Sequence, residues 1–159
     1  MHAVIVGCRA SGIPSLLVGF GSLSACAAAP SGLFVRHHPN AVTPVSDTEL
    51  IQVGRAVDRL ESDPNLRLVL IGHADATGDA TANKEISFKR ARYLRDLLFE
   101  QGIPKSSVAV AARGEEAPAA SNETPEGRAL NRRTEFFFFF PSSISLDENY
   151  GVRLVIDRE

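Results

Sequence analysis

Apolar positions in this chain follow two alternating rhythms. Leu50, Val53, Val57 and Leu60 recur at helical spacing and make one stripe that a helix can lay against a sheet. Ser46-Asp47-Thr48-Glu49 before them has the form of a capping box, and Asp63-Pro64-Asn65 after them stops the helix. A continuous apolar run, Leu66 to Ile71, then reads as a short buried strand. The turn-forming cluster Asp75-Ala76-Thr77-Gly78-Asp79 follows, and a second helix runs from about Thr81 to Gln101. Ala91, Leu94 and Leu98 give that helix its buried face, with Gly102 and Pro104 at its stop.

Val108 to Ala112 forms a third strand, and a polar loop from Arg113 leads to Thr124, the cap of a short helix over Pro125–Leu130. Asn131-Arg132-Arg133 leads into a last strand ending in Phe136–Phe140, while Gly32 to Val35 supplies a first strand. The order strand–helix–strand–helix–strand–(short helix)–strand predicts an α/β (α+β) two-layer sandwich. It has a mixed β-sheet with helices on one face, over residues 33–141. Period-2 geometry divides the phenylalanines between both sheet faces. Residues 142–159 form a C-terminal extension in which Ile144, Leu146, Val152, Leu154 and Ile156 alternate. An added strand or hairpin there would cover the second phenylalanine face; the alternative is a partner-binding face.

Residues 1–25 carry one basic side chain (Arg9), no acid, and an apolar centre from Ile13 to Phe20, the layout of a secretory signal peptide. Leu23-Ser24-Ala25-Cys26 resembles a bacterial lipobox, which makes Cys26 the lipid attachment point and residues 26–32 a tether. About seven residues reach at most ~25 Å when extended. Cleavage near Ala27-Ala28-Ala29, leaving a soluble protein, is the alternative. A membrane-spanning helix is disfavoured, since Pro14, Ser15, Gly19, Gly21 and Ser22 interrupt the apolar run. Cys8 leaves with the signal, so the exported part keeps no thiol for a disulfide, a zinc site or a nucleophile. Ala27 in place of Asp implies, by analogy, sorting to the outer membrane.

With 17 basic and 19 acidic residues the net charge is −2, and loss of Arg9 takes it to −3. That balance argues against nucleic acid or an anionic membrane surface as a partner.

The candidate chemistry lies in Gly72 to Arg92. An acid at a strand end, Asp75, and an arginine on the next helix, Arg90, can face each other across a cleft. Arg90 precedes the buried Ala91 and so belongs at the edge of the packed face. Together they suit a ligand with both an ammonium and a carboxylate. The same pair also reads as an internal ion pair tying loop to helix. His37 and His38 invite a metal reading, but strand neighbours point to opposite faces, and an exposed loop over Arg36–Asn40 fits better. No Gly-x-Ser-x-Gly, Walker or zinc-protease spacing occurs. Asp75, Asp79 and Glu85 are conceivable acid/base groups, but carboxylates around a cationic ligand explain them equally. The chain is read as a binding protein without a cofactor, not an enzyme.

Ala74-Asp75-Ala76-Thr77-Gly78 followed by Asn83-Lys84-Glu85-Ile86-Ser87-Phe88-Lys89-Arg90-Ala91 resembles the T-D-x-x-G … N-x-x-L-S-x-x-R-A signature of the OmpA-like peptidoglycan-binding domain, peptidoglycan-associated lipoprotein type. Asn122 to Glu135 is similar to its second motif, N-x-T-x-x-G-R-A-x-N-R-R-V-E. The resemblance covers about residues 45–140. It implies an outer-membrane lipoprotein that holds peptidoglycan non-covalently through the diaminopimelate of its stem peptide. Asp75 would take the ammonium and Arg90 the carboxylate, Thr77 and Asn83 would add hydrogen bonds, and Arg132 would line the same pocket. Ala74 stands where the family has threonine, and the His37-His38 region departs from the family's first loop. The alternative is an OmpA-like domain that has lost wall binding and contacts other envelope proteins.

Overall fold

The structure, a computed structural model, describes residues 32–44 and 46–141. The expected signal peptide, Cys26, most of the tether and the extension 142–159 lie outside the described residues.

Strand β1 (Phe34–Arg36) is followed by helix α1 (Asp47–Ser62), strand β2 (Arg67–His73) and helix α2 (Ala80–Glu100). A 3-10 turn (Lys105–Ser107), strand β3 (Val108–Gly114), helix α3 (Pro125–Asn131) and strand β4 (Arg133–Phe139) complete the domain. The sheet order is β1-β4-β2-β3. β2 and β3 run parallel, whereas β4 is antiparallel to both β1 and β2, so the sheet is mixed as expected.

Alternation along β2 decides which side chains meet the helices. Leu68 and Leu70 join Val53, Ala56, Leu60, Ala91, Leu94 and Leu98 in the main core between sheet and helices. Val69 and Ile71 face the other way, with Ala109, Ala111 and Phe139. β4 divides its aromatics by the same rule: Phe136 and Phe138 pack on the helix side, while Phe137, 46% exposed, stacks beside Phe139 on the far side. The helix stripes of Val53, Val57 and Leu60, and of Ala91, Leu94 and Leu98, are buried as their spacing predicts.

Helix α2 lies close against the sheet, and glycine allows it. A Cβ on Gly72 would collide with the backbone carbonyl of Ser87. Ser87 then ties the two layers: its hydroxyl donates to the Lys84 carbonyl and accepts from the Gly114 N–H.

Three expectations need correction. Ser46 precedes α1 but makes no side-chain cap: the Glu49 N–H goes to the Ser46 carbonyl at 3.0 Å, and the Glu49 carboxylate turns to Arg36, accepting from its Nε at 2.8 Å. β2 and β3 each run two residues further than their apolar runs, through a register irregularity that sets His73 opposite Gly114. The segment after β1 is not an exposed loop throughout. His37 is 1% exposed, with one ring nitrogen 2.8 Å from the Val42 carbonyl and the other 3.0 Å from the Thr134 hydroxyl. His38 remains at the surface.

Candidate functional site

Loop 38–44, the β2–α2 loop, the first turns of α2 and the α3–β4 junction meet at one end of the sheet. They enclose a cavity of about 290 Å³. Asp75, Thr77, Asn83, Arg90 and Arg132, the five residues singled out from the sequence, all line it.

Asp75 leaves β2 just beyond His73, where the sheet ends, and is anchored on both oxygens. Oδ1 accepts from the Thr77 N–H at 3.0 Å, an Asx turn that shapes the loop. Oδ2 accepts from Arg132 at 2.7 Å. Burial alone would raise the Asp75 pKa, but these hydrogen bonds and the Arg132 charge outweigh it and hold the carboxyl below its usual range. A carboxylate has about four lone-pair sites; with the Thr77 side chain also bonding to Asp75, roughly one remains for a ligand.

Arg90 is placed deeper than an edge position. At 1% exposure it lies under the cavity between α2 and loop 38–44. Its Nε donates to the Ala41 carbonyl at 2.9 Å, and its two terminal nitrogens donate to His38 and His73 carbonyls at 2.9 and 3.2 Å. A guanidinium carries about five N–H donors, so some capacity remains for a ligand. Burial, then repulsion from Arg132, lowers its pKa to about 10, against a smaller opposing pull from Asp75. It stays cationic at neutral pH. The internal ion pair considered from the sequence exists, but with Arg132 in place of Arg90.

Asn83 is held at the start of α2, whose N-terminus is capped by Asp79 accepting from the Thr81 and Ala82 N–H groups. Its amide nitrogen donates to the Thr77 carbonyl and to Glu115 at 3.2 and 2.6 Å, so its carbonyl oxygen is what it can offer to a ligand. Ala74 adds a methyl to the wall while its N–H donates to Gly114.

Sequence reasoning missed Arg128, Pro39 and Asn40, which also line the cavity. Arg128 stood inside the second quoted motif without a role; it donates to the Asn122 and Glu123 carbonyls at 2.8 and 3.0 Å. Asn40 adopts a left-handed backbone, φ 53°, which asparagine tolerates better than most residues. Loop 38–44 is thus bound in from three sides, by Arg90, by His37, and by Arg132 through the His37 carbonyl.

An anchored acid and arginines from a helix and a helix–strand junction thus line one cavity at the end of the sheet in a two-layer α/β sandwich. The sequence matches the OmpA family over residues 42–132, and the chain belongs to that family. It is 38% identical over 90 residues to the peptidoglycan-binding protein ArfA of Mycobacterium tuberculosis, a match covering 57% of this chain and 27% of that protein. It is 33% identical over 92 residues to the outer-membrane lipoprotein YfiB of Pseudomonas aeruginosa, covering 58% of this chain and 53% of that one. The chain therefore spans about a quarter of the first relative and about half of the second. Its fold matches the crystal structure of the peptidoglycan-associated lipoprotein from Burkholderia pseudomallei, with a TM-score of 0.64 and 22% identity over 67% of this chain and 89% of that chain.

Proposed function

We propose that this OmpA-family domain binds peptidoglycan non-covalently through the diaminopimelate of the stem peptide. The observation that carries this reading is the convergence of Asp75, Thr77, Asn83, Arg90 and Arg132 on one cavity that still holds open acceptor and donor sites. Asp75 and the Asn83 carbonyl accept from the ligand ammonium, and Arg90 and Arg132 donate to its carboxylate. Similarity to ArfA and YfiB supports the same ligand class and an envelope location. In this reading Cys26 carries the lipid, residues 26–32 are the tether, and the domain sits in the periplasm, joining outer membrane to wall. No bond is made or broken. A single contact of this kind is weak, on the order of micromolar to millimolar, and repeated sites plus the anchor supply avidity.

Co-sedimentation of the full chain with purified sacculi tests the proposal. Wild type pellets, and Asp75→Asn, with folding checked by circular dichroism, stays in the supernatant. A folded wild-type chain that also stays in solution favours the second reading, a fold retained for protein contacts. The exposure of Phe137 beside Phe139, on the sheet face away from the helices, is the observation behind that alternative.

A further inference from the structure

The cavity carries more positive than negative charge. Arg90, Arg128 and Arg132 line it, and Asp75 is the acid among its lining residues. Arg132 pairs with that acid. Arg90 gives its hydrogen bonds to the carbonyls of His38, Ala41 and His73, and Arg128 gives its own to those of Asn122 and Glu123. Carbonyl dipoles satisfy N–H groups but do not neutralise a cation, and neither Arg90 nor Arg128 has a carboxylate in direct contact among the described residues.

A ligand ammonium that engages Asp75 also competes with Arg132 for its counter-ion. The balance is restored only if the ligand brings a carboxylate to the arginines. We infer, on the reading that diaminopimelate is the ligand, that this cavity selects stem peptides whose diaminopimelate carboxylate is free. It rejects the same peptide with that carboxylate converted to an amide. Amidation leaves the ammonium of that diaminopimelate centre without its neighbouring carboxylate, among three guanidinium groups. The amide NH2 group also faces the guanidinium donors of Arg90 and Arg132, where a carboxylate oxygen would accept. Rejection thus rests on repulsion and unmatched donors as well as on a lost attraction. Burial and then Arg132 lower the Arg90 pKa, and Asp75 opposes them only in part.

Calorimetric titration of the full chain with an uncrosslinked disaccharide tetrapeptide, the carboxylate beside the diaminopimelate ammonium either free or amidated, tests this inference. The amidated form is expected to bind at least about tenfold more weakly, the equivalent of one charge-assisted hydrogen bond. Equal affinities overturn the inference and leave diaminopimelate binding in place; no binding of either form overturns both. Arg128→Gln removes one excess charge and should narrow the ratio between the two peptides, whereas an unchanged ratio in a folded variant contradicts the charge argument. Should that variant not fold, the ratio is read on the unaltered chain at rising salt. Screening narrows it if excess charge is the cause, and a constant ratio overturns the inference.

Discussion

Asp75 and Arg132, 57 positions apart in the chain, form an ion pair at 2.7 Å that closes one side of the cavity. The pair joins the loop after β2 to the α3–β4 junction and leaves Arg90 free of a carboxylate partner. Arg132→Gln should therefore let the Asp75 pKa rise toward, or above, the ordinary carboxylate value. Because the folded-state pKa of Asp75 is depressed, its contribution is present above the unfolded value and lost as pH falls through the folded one. The loss in the variant should be on the order of 1 kcal/mol, discounted because water reaches the pair. Side-chain carboxyl resonances followed through an acid titration, with urea denaturation beside them, check both parts.

Arg90 acts on the loop as much as on any ligand. Lysine keeps the charge but cannot reach three carbonyls with a planar fork. Arg90→Lys should destabilise the domain by about 1.5–3 kcal/mol. The faster amide exchange should concentrate in loop 38–44. Uniformly faster exchange across the sheet, with the loop unchanged, would contradict this placement.

Two buried histidines set an acid limit to the fold. Burial, then Arg90, lowers the His37 pKa to about 4, and burial, then Arg133 and Arg113, lowers that of His73 to about 3. The ring nitrogens of His73 find no partner at full hydrogen-bond distance, and the Glu135 carboxylate stands 3.8 Å from Nε2. For both groups the unfolded chain binds the proton more readily. Stability is therefore full above about pH 6.5 and falls as pH drops toward 4, by on the order of 1.4 kcal/mol per pH unit per histidine. His73→Leu should reduce that slope without loss at neutral pH. Guanidinium denaturation at pH 7 and pH 5 measures it, and an unchanged slope would refute the assignment.

Gly72→Ala tests the close approach of α2 to the sheet. The added methyl meets the Ser87 backbone, which cannot move as a side-chain end can. The expected cost is about 3 kcal/mol or more, read as a lower denaturation midpoint. A neutral substitution would mean that the helix yields more easily than this packing implies.

Element types and order were legible because core positions carry simple periodicities: Val53, Val57 and Leu60 at helical spacing, Leu68 and Leu70 alternating along a strand. The ends were not. His73 and Arg113 extend β2 and β3 as polar residues, and polar residues in a strand register leave no apolar signal. His37 looked like surface because its burial depends on Thr134, 97 positions away. The capping motif at Ser46 was misleading for a similar reason: Glu49 finds a partner on a different element, Arg36. Asp75 and Arg90 were found from their placement and Thr77, Asn83 and Arg132 through family motifs, whereas the pairing was not, since Asp75 had two arginines within reach and sequence spacing does not choose between them.

The lipid attachment proposed for Cys26 lies outside the described residues, and one substitution tests it. Cys26→Ser should move the chain from the membrane to the soluble fraction and abolish incorporation of labelled palmitate. Retention of label would place the lipid elsewhere.

The central claim, that the Asp75–Arg90–Arg132 cavity is the wall-binding site, is tested most directly by nuclear magnetic resonance titration of the labelled full chain with an uncrosslinked diaminopimelate muropeptide. The account predicts amide shifts clustered at Asp75, Thr77, Asn83 and Arg132, and none in a folded Asp75→Asn variant. Shifts confined to Phe137 and Phe139, or no shifts at all, would contradict it.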